Sequence, residues 1–203
     1  SAAVRLDVVA SDPPVAQVTA PTPEGGYYSD QKIAFSGTVS DTEDAPEDLL
    51  VTWISDLDGA IETDAEADSN GEIFGSAYLS EGEHFISLQA EDTSGQTASD
   101  SVAIVVGPPN SGPECAITAP VDGGASVVGE LVRFEAQVSD LNILSDQLDV
   151  VWESDKDGSI GTSTPSSVGE VVFAYDALSV NTHTVSMTVS DEVGATCTDL
   201  IVY

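Results

Sequence analysis

Trp53-Ile-Ser-Asp-Leu-Asp-Gly59 returns 99 residues later as Trp152-Glu-Ser-Asp-Lys-Asp-Gly158. Outward from this pair, positions 14–104 align with 113–203 without a gap, and about 27 of those 91 positions are identical. On the N-terminal side, Pro14-Val-Ala-Gln-Val-Thr-Ala-Pro21 faces Pro113-Glu-Cys-Ala-Ile-Thr-Ala-Pro120, and Val39-Ser-Asp41 faces Val138-Ser-Asp140. On the C-terminal side, Leu79-Ser80 and His84 face Leu178-Ser179 and His183, while Asp92 and Gly95 face Asp191 and Gly194. A duplicated unit accounts for these matches. A chain of 203 residues holds two such units, each large enough to bury a workable core.

The unit reads as β. Ile33, Phe35, Gly37 and Val39 alternate with mostly polar neighbours, as do Val132, Phe134, Ala136 and Val138 in the second copy. Leu49, Val51 and Trp53 do the same, as do His84, Ile86, Leu88 and Ala90 against His183, Val185, Met187 and Val189. No segment sustains a helical period. Strands are predicted near 14–20, 32–40, 49–55, 72–79, 84–91 and 97–106, each repeated 99 residues on. The layout is an N-terminal extension strand (1–10), a first domain (11–106), a Pro-stiffened linker (107–112) and a second domain (113–203).

The combined pattern Val-x-Trp-x-Ser-Asp-x-Asp-Gly, Leu-Ser-x-x-x-His and Val-Ser-Asp-x-x-Gly, the last reading Ala90-Glu-Asp-Thr-Ser-Gly95 in the first copy, resembles the polycystic-kidney-disease-type (PKD-like) immunoglobulin-like domains. The resemblance covers almost the whole chain, twice. It implies an all-β protein of two tandem immunoglobulin-like (PKD-like) β-sandwiches, a module used in extracellular arrays as spacer, adhesive or substrate-contacting element. It fixes no ligand.

Charge narrows the function. Asp and Glu number 36 against four Lys and Arg, for a formal charge of -32. Such a chain repels phosphate backbones and anionic head groups, so nucleic acid is excluded as a partner. No apolar run approaches the roughly 20 residues of a membrane helix, so membrane insertion is not expected. Self-repulsion on this scale points to a saline setting or to bound calcium, with bare solubility as the alternative reading.

Asp41 and Asp92 continue the inward parity of the second and sixth strands and are expected to face one another at the N-terminal pole, as are Asp140 and Asp191. Such pairs either hold calcium or cap backbone amides in their loops. At the other pole, Asp56, Asp58 and Gly59, with Asp155, Asp157 and Gly158, resemble the opening of an EF-hand loop. The bidentate Glu of the twelfth position is replaced by Ala67 and Ser166, and a tight Asp-Gly turn is the competing reading. The first copy adds an acidic loop, Asp64-x-Glu66-x-Asp68-x-Asn70-Gly71-Glu72, readable as a cation site or a solvated loop.

Cys115 and Cys197 are the only cysteines, and their counterparts are Ala16 and Ala98. Both positions change together between the copies, as a contacting pair would. They read as a disulfide between the first and last strands of the second domain, the alternative being two buried free thiols, and a disulfide argues for an extracellular or cell-surface location. Trp53 and Trp152 lie on core parity, and His84 and His183 are assigned a corner hydrogen bond. No phosphate loop, metal-binding His pair or Gly-x-Ser-x-Gly elbow is present, so the chain is not expected to be an enzyme.

The expected function is a non-catalytic structural or adhesive module. Its rivals are a polysaccharide- or fibre-binding accessory of a secreted hydrolase, for which Tyr27 and Tyr28 offer a thin platform, and a surface-layer component. Val4, Leu6 and Val8 alternate in a segment patterned like Val102-Ala-Ile-Val-Val106 and are expected to serve head-to-tail self-association or pairing with neighbouring repeats.

Overall fold

The computed structural model describes residues 11–63 and 66–203. The chain divides into two compact units between Asn110 and Ser111. The first contains β1 (Val15–Ala20), β2 (Tyr27–Tyr28), β3 (Ile33–Ser40), β4 (Leu50–Ser55), β5 (Gly59–Ile61), β6 (Glu72–Ala77), β7 (Gly82–Glu91) and β8 (Thr97–Gly107). One sheet has the order β1-β3-β6 and the other β2-β8-β7-β4-β5. The second unit contains β9 (Glu114–Ala119), β10 (Val132–Ser139), β11 (Asp149–Ser154), β12 (Gly158–Ser163), β13 (Glu170–Tyr175), β14 (Thr184–Ser190) and β15 (Thr196–Val202). Its sheets run β13-β10-β9 and β12-β11-β14-β15.

The period-2 pattern becomes burial directly. Ile33, Phe35 and Val39 of β3 and Ile86, Leu88 and Ala90 of β7 point inward from opposite sheets and close on Trp53. Phe134, Val138, Val185, Met187, Val189 and Trp152 repeat the arrangement. Both indoles are almost fully enclosed, and Phe35 meets Trp53 edge-on at 5.3 Å between ring centroids.

Three features depart from the sequence reading. The first is register. Over β6 and β13 the copies correspond at an offset of 98, because the Val39 N–H donates to the Gly71 carbonyl and the Val138 N–H to that of Gly169. Both glycines have positive φ, +79° and +82°, and an added Cβ would stand 2.0 Å from the Val39 or Val138 oxygen. Only glycine fits there, and it pins the strand. The gapless alignment therefore hides two compensating one-residue shifts, and its Phe74/Phe173 match is accidental. Phe74 is exposed, whereas Phe173 stacks on Trp152 at 5.6 Å.

The second departure is an added strand in each unit. Gly59–Ile61 and Gly158–Ser163 pair with β4 and β11, although neither carries the apolar alternation that marks a strand. The third concerns Tyr27 and Tyr28, which are not a loop platform. They form a short parallel pairing with Val106 and Gly107, Tyr28 is buried, and the Tyr27 hydroxyl both accepts from the Thr22 N–H and donates to its carbonyl.

The open edge of each sandwich is clamped in the same way. The Asp100 carboxylate accepts the Val18 N–H at 2.8 Å, and Asp199 accepts that of Ile117 at 2.7 Å. Each joins the edge strand of one sheet to the last strand of the other. In the second unit a covalent clamp is added: Cys115 on β9 and Cys197 on β15 are disulfide-bonded, with Cα atoms 5.9 Å apart. Around the linker, the Asn110 N–H is held by Asp30 within the first unit, and the Ser111 N–H by Asn142 within the second.

Candidate functional site

The repeated polar residues gather at the two poles of each sandwich. At one pole of the first unit, Asp41 follows β3 and Asp92 follows β7. One oxygen of Asp41 accepts the N–H groups of Glu43 and Asp44 at 2.8 and 2.9 Å. One oxygen of Asp92 accepts the N–H groups of Ser94 and Gln96, both at 2.8 Å, together with the Ser94 hydroxyl. Asp44 links the two loops by taking the N–H and hydroxyl of Thr93. In the second unit, Asp140 accepts from Asn142 and Ile143, and Asp191 from Val193 and Ala195. All four carboxylates thus cap backbone amides, one of the two uses their positions allowed. The second oxygens of Asp41 and Asp140 are enclosed and have no hydrogen-bond partner among the described residues.

The opposite pole is built around a buried imidazole. His84 and His183 are each 2% exposed. Nε2 of His84 lies 2.8 Å from the Ser80 carbonyl oxygen, which only accepts, so Nε2 carries the proton and Nδ1 is the acceptor. The Ser55 hydroxyl, 2.8 Å from Nδ1, therefore donates to it, while its oxygen accepts the N–H groups of Leu57 and Asp58. Ser154, His183 and Ser179 repeat these contacts. The predicted corner hydrogen bond is present, with a buried serine beneath it. That serine ends the strand predicted over 49–55, and its recurrence in both copies of the Trp-x-Ser-Asp-x-Asp-Gly motif is the sequence signal that could have marked it.

Ser, His and Asp occur together here, but their wiring opposes catalysis. In hydrolytic triads the serine sits on the ring nitrogen remote from the aspartate. Here the serine is on Nδ1, and Asp58 stands 3.9 Å from the same atom. The other nitrogen donates to a carbonyl in place of a carboxylate, and the Ser55 hydroxyl, 1% exposed and accepting two N–H groups, is shielded from any substrate.

The Asp-x-Asp-Gly carboxylates tie turns rather than form an EF-hand loop. Asp56 accepts the Phe85 N–H at 2.7 Å and Asp155 that of Thr184 at 2.7 Å. Asp58 accepts both the N–H and the hydroxyl of Ser80, and Asp157 accepts the Ser179 N–H. Among the described residues no three His, Cys, Asp or Glu side chains converge as a metal-binding group. Of the acidic loop, Asp64 lies outside the described residues, and Asp68 caps Asn70 and Glu72.

These contacts favour the charged carboxylates. The Ser179 N–H and hydroxyl hold the Asp157 carboxyl below its ordinary range. Lys156 and then the Thr184 N–H do so for Asp155. At Asp58 burial pushes upward but is outweighed by the Ser80 hydroxyl and N–H, and at Asp92 by Gln96 and Ser94. A depressed folded-state pKa contributes stability that is complete above the unfolded value, about 4, and is lost as pH falls through the folded value. Protonation also relieves the repulsion within a chain of charge -32, so the local effect must be read as a difference. In thermal melts, the advantage of the native chain over an Asp157→Asn variant is expected to be constant at neutral pH and to vanish as pH falls below the unfolded value of about 4 and through the lowered folded one. An advantage that grows on acidification would contradict the assignment.

No protein-family model matches the chain, and no curated protein matches it. Among solved structures, fibronectin(III)-like modules of Clostridium thermocellum CbhA are similar over 93% of this chain and 92% of theirs, at 17% identity and a TM-score of 0.66. An I-band fragment of titin matches over 95% of this chain and 65% of its own length, at 15% identity and a TM-score of 0.49. The likeness is one of fold: tandem β-sandwiches of the immunoglobulin-like and fibronectin III type, without singling out the PKD-like branch. No helix among the described residues is long and apolar enough to cross a membrane.

Proposed function

We propose that the chain is a non-catalytic structural or adhesive module of an extracellular or cell-surface assembly, made of PKD-like domains and joined head to tail with its neighbours. The observation that supports this reading is how the polar residues are spent. In both copies the repeated Asp, Ser and His side chains hold loops to strands, and the imidazole most suited to chemistry is buried with both nitrogens engaged. The Cys115–Cys197 bond fits an oxidising compartment.

Calcium belongs to the same proposal. An enclosed carboxylate oxygen without a partner is costly, and the same atom is in that state in both copies, at Asp41 and Asp140. These residues, with Asp92 and Asp191, would supply carboxylates to a cation, and backbone carbonyls and water would complete the six to eight oxygens calcium takes. The ion would neutralise charge and stiffen the loops. Millimolar calcium is then expected to raise the melting temperature more than sodium chloride of equal ionic strength, and Asp41→Asn with Asp140→Asn to remove the difference. Equal effects of the two salts would leave screening alone.

A second reading, attachment to polysaccharide, draws on Phe74 and Tyr78, both exposed on the first unit, with the Lys32 ammonium 6.0 Å from the Tyr78 ring centroid. The experiment that separates the two joins antibody labelling of intact cells to retention on insoluble polysaccharides. Surface or secreted label without retention supports the structural module. Retention lost in Phe74→Ala with Tyr78→Ala supports the accessory reading, and label confined to the cell interior overturns both.

A further inference from the structure

We propose that the outer face of β7 and β8 in the first unit is a docking surface for a cationic segment of a partner protein, one that presents apolar side chains flanked by Lys or Arg. This goes beyond the module reading by naming the chemistry of a partner. Across the antiparallel pair, Phe85 stands opposite Ala103 and Glu83 opposite Val105. They alternate with His84, Ile86, Ile104 and Val106, which are buried, so they face solvent. Phe85 is 50% exposed and Val105 61%. Ile54 of β4 pairs with Ser87 and is therefore the diagonal neighbour of Phe85 on the same face. Pro23, Phe85, Ala103 and Val105 line a concavity of about 300 Å³, to which Asp56 and Glu83 add carboxylates.

The second unit shows that the sandwich does not need this face to be apolar. Its registers are the same: Ser154 pairs with Val185 and Thr184 with Val202, as Ser55 pairs with Ile86 and Phe85 with Ala103. At the equivalent outward positions Ile54 becomes Glu153, Phe85 becomes Thr184 and Pro23 becomes Asp122. The inward positions of the same strands stay apolar in both copies, Ile86, Leu88 and Ala90 against Val185, Met187 and Val189. What the fold requires is thus kept, and the outward apolar side chains belong to the first copy alone. A cluster of this kind around a concavity marks a surface that meets a partner.

Charge specifies the partner. The chain carries -32, and the concavity sets Asp56 and Glu83 beside its apolar lining, with Asp56 fixed there by the Phe85 N–H. An anionic partner would be repelled, and a purely apolar one would cover two carboxylates without pairing them. Lys or Arg beside an apolar anchor pairs with both acids, and its aliphatic stem extends over the surrounding apolar surface. A second copy of this chain offers no such segment, because its four cations, Arg5, Lys32, Arg133 and Lys156, stand far apart in the sequence. Arg5 and the expected assembly residues Val4, Leu6 and Val8 lie outside the described residues, and only their sequence is used.

The test titrates the full chain calorimetrically at physiological salt with two synthetic peptides of equal positive charge, one with a Leu-Phe-Leu centre between paired lysines and one with Ser-Gly-Ser in its place. Native protein is expected to bind the apolar peptide at one site, at least about tenfold more tightly than the polar one. Ile54→Glu with Phe85→Thr installs residues that the second unit already carries, so folding should persist, as thermal melts would verify. This variant should bind the apolar peptide no better than the polar one. The direction is diagnostic, because Ile54→Glu adds a negative charge and attraction by charge alone would tighten binding. Glu83→Lys keeps the apolar lining and should weaken the apolar peptide severalfold. Absence of binding, equal affinity for the two peptides, an unweakened double variant or an indifferent Glu83→Lys would overturn the proposal. Dimerisation of the native chain lost in the double variant would assign the face to a second copy, and retention on insoluble polysaccharide lost in it would assign the face to sugar; either overturns the proposal as well. Surface labelling and calcium response are independent of these readouts, so a failure here is distinguishable from failure of the module reading.

Discussion

Reduction of the Cys115–Cys197 bond is expected to lower the melting temperature of the second unit by about 10–30 °C and to leave the first unmoved. The bond closes a loop with a sequence separation of 82, for which the chain-entropy model gives about 4.5 kcal/mol. Native disulfides of small secreted domains contribute about 2–5 kcal/mol when removed, and in domains of this size each kcal/mol shifts the midpoint by about 4–8 °C. The two sheets of the second unit are joined at this edge by the disulfide and by the Asp199 clamp, so reduction removes the covalent one of these two ties. Calorimetry with and without reductant separates the two transitions. Titratable thiols in unreduced, natively purified protein would contradict the bond. The converse should also hold: Ala16→Cys with Ala98→Cys is expected to install the missing bridge in the first unit, where Asp100 already holds the same two strands together. Its failure to oxidise would mean that the edge is spaced differently in the two copies.

The second large effect is at the core tryptophans. Trp53→Ala and Trp152→Ala are each expected to cost about 3–5 kcal/mol, which would leave that unit marginal or unfolded. The finer contrast is with phenylalanine. The Trp152 Nε1–H donates to the Ser163 hydroxyl at 3.0 Å, whereas Nε1 of Trp53 is buried without a partner among the described residues. Trp152→Phe therefore loses a hydrogen bond as well as volume, and Trp53→Phe removes an unsatisfied donor. The difference should be about 1–2 kcal/mol in favour of Trp53→Phe, measured by chemical denaturation of each unit's transition. Equal costs would show that the indole N–H of Trp53 is satisfied in solution.

This asymmetry follows from the strand the alternation did not reveal. β12 runs on to Ser163 and carries the hydroxyl that Trp152 needs, whereas β5 stops at Ile61. Gly158-Ser-Ile-Gly-Thr-Ser163 has too few apolar residues to mark a strand, and its pairing is set by the neighbouring β11. The tyrosine pair failed for a related reason. Tyr27 and Tyr28 are adjacent in a Gly-rich stretch, and only the extension of β8 to Gly107 buries one of them.

The repeat, the alternation and the paired change of Ala16 and Ala98 to Cys115 and Cys197 were enough to establish two like sandwiches, their inward-facing residues and the partners of the disulfide. Each rests on a local rule: side chains alternate along a strand, and duplicated contacts change in pairs. Tertiary structure decided the rest. That the Ser55 hydroxyl meets Nδ1 of His84, 29 residues on, and that Asp100 reaches the Val18 N–H, 82 residues away, depend on atoms brought together from strands distant in the chain. The register of β6 shows the limit most clearly, since an offset of 98 or 99 leaves the hydrophobic count almost unchanged. It was settled by one backbone oxygen, that of Val39, with no room for a side chain opposite it at Gly71.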